Sequence, residues 1–173
     1  MSSWELELTI RAERLSDIAA IHAVEAAAFG TDAEATLVDA LRASGDDFIS
    51  LVATRGDEAV GHICFSRVTI EGAPSQRRFS ALAPLAVLPA HQRQGIGAML
   101  VTAGLDECRQ RSIDAVFVVG SPAYYSRFGF APAGDSGVTC EFDVPRDVFQ
   151  VVELRPGTLS AGRLKYPAAF HGV

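Results

Sequence analysis

The feature that most constrains the fold of this chain is an apolar run that ends in a glycine-containing turn and continues as an amphipathic segment. The run covers residues 79–87 and is almost wholly apolar, which is typical of a strand covered on both faces. Leu88 and Pro89 end the run, and the turn QRQGIGA follows at 92–98. Apolar residues then recur with the spacing of one helical face. The sequence therefore predicts a buried strand, a turn and a helix in direct succession.

The turn at 92–98 is predicted to bind an anion. Gly95 and Gly97 allow the backbone to come close to a ligand, because neither carries a side chain. The first turn of the following helix leaves N–H groups without helical partners, and its dipole is worth about half a positive charge. A pyrophosphate group would be stabilised at this position.

Two common phosphate-binding motifs do not fit this turn. A nucleoside triphosphate loop needs a Lys-Ser/Thr pair after its second glycine, and Ala98-Met99 stands there instead. A dinucleotide fingerprint needs a third glycine, and that position is Leu100. Taken alone, the remaining G-x-G pattern also fits an ordinary helix start.

The turn resembles the Q/R-x-x-G-x-G/A signature of the GNAT superfamily of acetyl-CoA-dependent N-acetyltransferases, with Gln92, Gly95 and Gly97 at its fixed positions. The stretches LAPLAVLP and AYYSRFGF are similar to the YhbS-type branch of predicted acetyltransferases in that family. The resemblance implies the α+β GNAT (acyl-CoA N-acyltransferase) fold, with flanking helices and a central mixed, mostly antiparallel sheet whose strands splay apart. It runs almost from end to end, so we expect one GNAT-type N-acetyltransferase domain over 1–173.

The resemblance also implies acetyl-CoA as cosubstrate and assigns residues to it. The pantetheine arm is expected to pair with the backbone of Leu85, Ala86 and Val87. Arg77, Arg78 and Arg93 could each pair with the 3′-phosphate, but only Arg93 is in the right place by sequence, and exposed arginines are usually solvated. The pyrophosphate is expected on the turn, formed by Gln92, Arg93, Gln94, Gly95, Ile96, Gly97 and Ala98.

Pro84 interrupts the predicted central strand. Proline has no N–H to donate to a sheet, so the strand is predicted to be bulged or unpaired on one side there. In GNAT proteins this strand and the strand before the next helix separate, which leaves room for the cofactor. An edge strand with a tolerated proline is the alternative.

Tyr125 is the candidate catalytic residue. GNAT proteins often carry a tyrosine four residues before a Gly-Phe pair, and Gly129-Phe130 is that pair here. The resemblance implies that Tyr125 is the general acid that protonates the departing thiolate of coenzyme A. Tyr124 is the second candidate, and plain aromatic packing is the third reading. The asparagine that the family often places seven residues earlier is Val118 here, which leaves contacts from that side chain unassigned.

Acyl transfer also needs an oxyanion donor and a neutral amine. A backbone N–H near Leu85 or Ala86 is the candidate donor. Glu25, His62 or a chain of waters could remove the amine proton, although a helix glutamate and a buried histidine are commonly structural. Cys64 and Ser66 alternate with His62 along one strand, a pattern that favours a row of core residues over a nucleophile.

Composition narrows the remaining functions. Fifteen Lys and Arg against twenty-one Asp and Glu give a net charge of −6, which disfavours nucleic acid and mildly favours a cationic substrate. Three cysteines without C-x-x-C spacing argue against disulfides or a zinc site. No apolar run reaches the about 18 residues of a membrane span, and the acidic N-terminus is unlike a secretory signal. We therefore expect a cytoplasmic protein with no metal and no membrane partner.

The remaining pattern predicts further elements in an α+β order. Residues 5–10 are a strand, Ser16 caps a first helix, and Thr31 begins a second helix through a capping box with Glu34. Later elements are two antiparallel strands at 48–54 and 59–70, a strand at 114–119, a short helix at 123–128 capped by Ser121, and a strand at 148–154. The last 18 residues have no assignment.

The sequence thus predicts an N-acetyltransferase in which an amine attacks the thioester directly. Two alternatives remain open: a coenzyme A-binding regulatory module without catalysis, and an acyltransferase for longer acyl chains. The acceptor is an amine-bearing small molecule or protein, and a homodimer is compatible with the sequence.

Overall fold

The computed structural model describes residues 6–45 and 47–172 as a mixed sheet with helices on both faces. Its strands are β1 (Leu8–Ala12), β2 (Ile49–Arg55), β3 (Glu58–Ile70), β4 (Phe79–Val87), β5 (Ala115–Val119), β6 (Ala131–Pro132), β7 (Val138–Cys140), β8 (Phe149–Glu153) and β9 (Gly162–Lys165). Its helices are α1 (Ile18–Phe29), α2 (Ala33–Ser44), α3 (Ile96–Gln110) and α4 (Pro122–Tyr125).

The sheet runs in the order β1-β2-β3-β4-β5-β8-β6. Within it β4 and β5 are parallel and every other neighbouring pair is antiparallel. The end of β3 also pairs with β9, and β9 pairs in parallel with β7. This is the mixed, mostly antiparallel α+β sheet that the sequence predicted.

β4 is bulged at Pro84, as predicted. Ile63 pairs with Leu85 and Phe65 pairs with Leu82, so two residues of β4, Ala83 and Pro84, lie opposite a single residue of β3. The Ala83–Pro84 peptide bond is cis. The extra residue shifts the alternation of side chains between the two faces of the sheet.

β4 and β5 separate soon after they begin. Their pairing covers only Phe79–Ala81 of β4 against Ala115–Phe117 of β5. Beyond this point the edge of β4 that faces β5 has no strand partner among the described residues. The expected splay of the two strands is therefore present, and we call the point where they separate the fork.

The helices cover the two faces of the sheet. α3 packs on the face that carries Ile63 and Phe65, where a buried cluster includes Leu100 and Val116. This contact is close, since a Cβ placed on Gly104 of α3 would lie 2.3 Å from the Phe65 ring. α1 and α2 cover the opposite face.

The helix starts differ from the sequence prediction. α1 follows a short 3₁₀ turn over Leu15–Asp17, where Asp17 rather than Ser16 accepts a backbone hydrogen bond, from Arg14 at 2.7 Å. α2 begins after Asp32, and Thr31 only donates to the Glu34 carboxylate at 3.3 Å, so the predicted capping box is wrong. The helical spacing placed both helices within a few residues of their observed bounds, but neither α1 nor α2 has a side-chain hydrogen bond at its N-cap residue, Asp17 or Asp32.

The strands predicted at 48–54, 59–70, 114–119 and 148–154 match β2, β3, β5 and β8 to within one residue at each end, and the sequence did not predict β6 or β7. The first strand is shifted to Leu8–Ala12, and residue 5 of the predicted strand lies outside the described residues. Ser121 caps α4 as predicted, accepting a hydrogen bond from the Tyr124 N–H at 3.4 Å. The unassigned C-terminal segment supplies β9, which pairs with β7 and β3. None of the helices in the described ranges has the length and hydrophobicity needed to cross a membrane.

Candidate active site

A cavity of about 390 Å³ lies where β4 ends and α3 begins. We call it the helix cavity. It lies beside the part of β4 that has no partner on the β5 side. Its lining comes from β4, the 92–98 turn, α3 and the segment after β5, namely Leu85, Val87, His91, Gln92, Arg93, Gly95, Ile96, Gly97, Ala98, Tyr124 and Arg127.

The backbone of the helix cavity is suited to an anion. The first hydrogen bond of α3 runs from the Met99 N–H to the Gly95 carbonyl at 3.1 Å. The N–H groups of residues 96–98 therefore have no acceptor within the helix. Arg93 and Gly95 both have positive φ, 63° and 82°, and these angles turn the chain into the helix. Free amides, the helix dipole and the arginine charge together favour a phosphate group here.

Eight of the ten predicted cofactor-binding residues line the helix cavity, and two do not. Ala86 is buried and lies opposite His62 across the β3–β4 pair, so its side chain lies on the other face of the sheet. Gln94 is exposed and accepts a hydrogen bond from Arg55 at 2.8 Å. Gln92 lines the cavity and donates to the Val87 carbonyl at 3.0 Å, which holds the turn against the end of β4.

The arginines differ in position. Arg93 lines the helix cavity, whereas Arg78 forms an ion pair with Asp47 at 2.9 Å beside the start of β4. Arg127 also lines the cavity and lies over the Tyr124 ring, 4.5 Å from its centroid. Sequence reasoning did not single out Arg127, because an arginine in a short helical turn carries no motif of its own.

Tyr124 and Tyr125 have different surroundings. Tyr124 lines the helix cavity, and a Cβ placed on Gly97 would lie only 2.7 Å from its hydroxyl oxygen. Tyr125 lies behind it, with its ring against Gly120 and 5.6 Å from the Phe130 ring. Burial, together with the neighbouring Tyr124, raises the pKa of Tyr125 to about 12. The Tyr125 hydroxyl is therefore protonated at neutral pH, as that of an unperturbed tyrosine also is, and Tyr125 does not belong to the lining of the helix cavity.

A second cavity, of about 430 Å³, opens at the fork on the side covered by α2 and the C-terminal segment. We call it the fork cavity. β4 and β5 contribute both of its strand walls. Its lining is mostly apolar and consists of Glu34, Leu37, Ala81, Leu82, Ala83, Phe117, Val118, Val119, Phe142, Val144, Tyr166 and Phe170.

The two side chains considered as general bases bind each other. Nδ1 of His62 lies 2.6 Å from the Glu25 carboxylate, and both residues are fully buried. Nε2 of His62 lies 2.7 Å from Ser50 Oγ, and Ser50 also donates to Glu13, which Arg42 holds in an ion pair. The Ser50 hydroxyl has a single proton, which it donates to Glu13, so Nε2–H of His62 donates to Ser50 Oγ. The short contact between Nδ1 of His62 and the Glu25 carboxylate also needs one proton, carried by one of the two groups.

The buried pair lies apart from both cavities. Neither Glu25 nor His62 belongs to the lining of the helix cavity or the fork cavity. Burial raises the pKa of Glu25, and the hydrogen bond from His62 opposes that change. Burial also raises the pKa of the Cys64 thiol well above its usual value, which argues against a cysteine nucleophile.

Known proteins resemble this chain over most of its length. The sequence profile of the Acetyltransferase (GNAT) family matches residues 16–130. The uncharacterized N-acetyltransferase YjhQ of Escherichia coli K12 is 38% identical over 153 residues, which cover 84% of each chain.

Two solved structures share both fold and sequence with this chain. The GNAT family N-acetyltransferase YhbS from Escherichia coli, solved in complex with CoA, is 35% identical with a TM-score of 0.88, covering 96% of this chain and 93% of that one. A GNAT family acetyltransferase from Brucella melitensis, solved in complex with acetyl-CoA, is 35% identical with a TM-score of 0.80, covering 96% and 99%.

Proposed function

Because this chain belongs to the GNAT acetyltransferase family, we propose that it transfers the acetyl group of acetyl-CoA to a primary amine. The observation that carries the proposal is the helix cavity, where free amides of α3 face a bulged strand with an open edge. Two relatives of known structure were solved with CoA or acetyl-CoA, which supports the same cosubstrate here.

The residues of the helix cavity fit a pyrophosphate group. The amides of Ile96, Gly97 and Ala98 would hold its oxygens, and Arg93 would neutralise phosphate charge beside them. Gly97 lets the Tyr124 hydroxyl lie close to the start of α3, since a Cβ at this position would lie only 2.7 Å from that hydroxyl.

The open edge of β4 fits the pantetheine arm. Strand-like pairing with the backbone of residues 85–87 would use the side of β4 that β5 leaves unpaired. An arm that starts at α3 and follows β4 backwards reaches the bulge at Pro84, so the reacting group would lie at the fork.

Bound acetyl-CoA supplies an acetyl thioester to an attacking amine. An N–H near Leu85 or Ala86 would stabilise the charge that develops on the thioester oxygen. Tyr125 would donate its proton to the departing sulfur, since its hydroxyl is protonated at neutral pH. The amine proton would leave through water, because Glu25 and His62 are fully buried and hydrogen-bonded to each other.

Calorimetric titration with acetyl-CoA, followed by a thiol-release assay with pooled amines and a no-amine control, tests this proposal. We expect saturable binding and amine-dependent release of coenzyme A. Saturable binding without release from any amine would favour a regulatory coenzyme A-binding module. Faster transfer from a longer thioester than from acetyl-CoA would favour the long-chain alternative.

A further inference from the structure

We infer that the fork cavity binds the acceptor, and that the acceptor is a small monoamine with an apolar, aromatic-sized body. The inference rests on the proposed acetyl transfer and adds the substrate class to it. Three observations carry it: the position of the cavity at the fork, the chemistry of its walls, and one carboxylate on its rim.

The position of the fork cavity suits an attacking amine. β4 contributes Ala81, Leu82 and Ala83 to the fork cavity, and it contributes Leu85 and Val87 to the helix cavity. Along β4 the two linings are therefore separated only by Pro84, which belongs to neither of them. A nucleophile in the fork cavity would face the end of an arm that lies along residues 85–87, which is the alignment that direct transfer requires.

The walls of the fork cavity select an apolar body. Leu37 and Phe117 are buried, and Phe142, Tyr166 and Phe170 form a connected aromatic wall. The ring centroids are 5.1 Å apart between Phe142 and Tyr166, and again between Tyr166 and Phe170. Such walls favour a flat ring in edge or offset contact, and a polar body would lose hydrogen bonds to water.

The size of the fork cavity limits the acceptor. A volume of about 430 Å³ is near the lower end of the range for small-molecule sites, which is roughly 300–1,000 Å³. One aromatic ring with a short aliphatic arm fits this space. A long polyamine would leave its remaining charges against apolar walls.

Glu34 gives the cavity one negative charge. It is the only acidic side chain among the lining residues and lies in the first turn of α2. Thr31 donates to one of its carboxylate oxygens at 3.3 Å, which orients the group beside the cavity. A single carboxylate above apolar walls complements a single ammonium group and would hold the amine near the fork.

Saturation-transfer NMR on the protein with coenzyme A present measures acceptor binding without turnover. We expect phenethylamine to bind at least about tenfold more tightly than ethanolamine or putrescine, because only its ring is matched by the cavity walls. Equal binding of the three amines, or tighter binding of a lysine-containing peptide, would overturn the inference.

Glu34→Gln tests the role of the cavity carboxylate. Glu58→Gln is its control, because Glu58 is an exposed carboxylate in the β2–β3 hairpin. Glu34→Gln should weaken phenethylamine binding by about tenfold, and Glu58→Gln should not change it. A second variant, Val119→Lys, places a positive charge at a cavity residue that is 45% exposed, and it should also weaken binding. Unchanged binding in both cavity variants would overturn the assignment.

Turnover separates this inference from the proposed function. If phenethylamine binds as described and coenzyme A is not released, the acetyl transfer is wrong and the binding site stands. If coenzyme A is released rapidly with polar amines and slowly with phenethylamine, the acetyl transfer stands and the substrate class is wrong.

Discussion

At the scale of single residues, the two adjacent tyrosines provide a test of the chemistry. Tyr125→Phe should lower kcat by about a hundredfold with little change in acetyl-CoA affinity, because only the acid group is removed. Tyr124→Phe should act mainly on affinity, since its hydroxyl lies beside Gly97 in the helix cavity. Steady-state kinetics and calorimetry on both variants measure the two effects separately.

Each tyrosine variant is the control for the other, because both remove one hydroxyl from neighbouring rings. A hundredfold loss of kcat in Tyr124→Phe with normal turnover in Tyr125→Phe would move the acid to Tyr124. Normal turnover in both would leave neither tyrosine as the acid.

The buried Glu25–His62 pair is predicted to stabilise the fold. His62→Ala leaves the Glu25 carboxyl buried without its partner and should cost about 3 kcal/mol in the free energy of unfolding. His22→Ala is the matched control, since His22 also lies 3.0 Å from a carboxylate, that of Asp39, but is partly exposed. Its cost should be below about 1 kcal/mol. Urea denaturation of both variants measures the difference, and equal costs would contradict it.

At the scale of elements, replacement by alanine at two glycines of α3 is predicted to change two different properties, the affinity for acetyl-CoA at Gly97 and the stability of the fold at Gly104. Gly97→Ala places a methyl group against the Tyr124 hydroxyl, which must shift, and should weaken acetyl-CoA binding by about tenfold. Its cost in stability should be smaller than that of Gly104→Ala, because the end of the Tyr124 side chain can move and alanine favours the helix. Gly104→Ala forces a methyl group against the buried Phe65 ring and should cost about 1–3 kcal/mol.

Thermal unfolding and calorimetry on the two glycine variants test this contrast. In Gly104→Ala the affinity for acetyl-CoA should be unchanged at temperatures where the protein is folded. If Gly97→Ala binds normally while it unfolds at a lower temperature, the close approach at Gly97 serves packing and not the ligand.

Most elements could be predicted because their own residues determine them. The apolar run of β4 and the helical spacing after Gly95 placed both elements near their observed bounds. The β4 bulge followed from Pro84, which has no N–H to donate. The start of α1 could not be predicted, because Asp17 is held by Arg11 of β1, and no local pattern reports that contact.

At the scale of the whole molecule, the fold should lose stability in acid. Hydrogen bonds from Arg11 lower the pKa of Asp17 to about 2, and this pair joins β1 to the turn before α1. Burial alone would raise the pKa of Glu141, but Lys165, His171 and a backbone N–H outweigh it and hold the value at about 2. Both carboxyl groups have a lower pKa in the folded protein than in the unfolded chain. Their ionised forms therefore stabilise the fold above about pH 4, and this stabilisation is lost as the pH falls from about 4 to 2.

Urea midpoints at pH 7 and pH 3 measure this acid sensitivity. Asp17→Asn should reduce stability at pH 7, by about 1 kcal/mol, and should narrow the difference between the two pH values. A difference in Asp17→Asn as large as in the wild type would contradict the assigned role of this carboxylate.

The helix cavity could be predicted from sequence and the fork cavity could not. The helix cavity is built largely from one continuous stretch, 85–98, so a local motif describes most of it. The fork cavity joins α2, two strands and the C-terminal segment, and only the tertiary fold brings Glu34 near Phe142 and Phe170. Arg127 and Tyr124 join the helix cavity from a later segment in the same way.

A crystal structure of this protein with acetyl-CoA tests the central claim most directly. We predict that the pyrophosphate oxygens lie within hydrogen-bonding distance of the backbone amides of residues 96–98, with the arm along residues 85–87 and the acetyl group at the Pro84 bulge. Phosphates bound at any other position, or the absence of bound cosubstrate at saturating concentration, would contradict the claim.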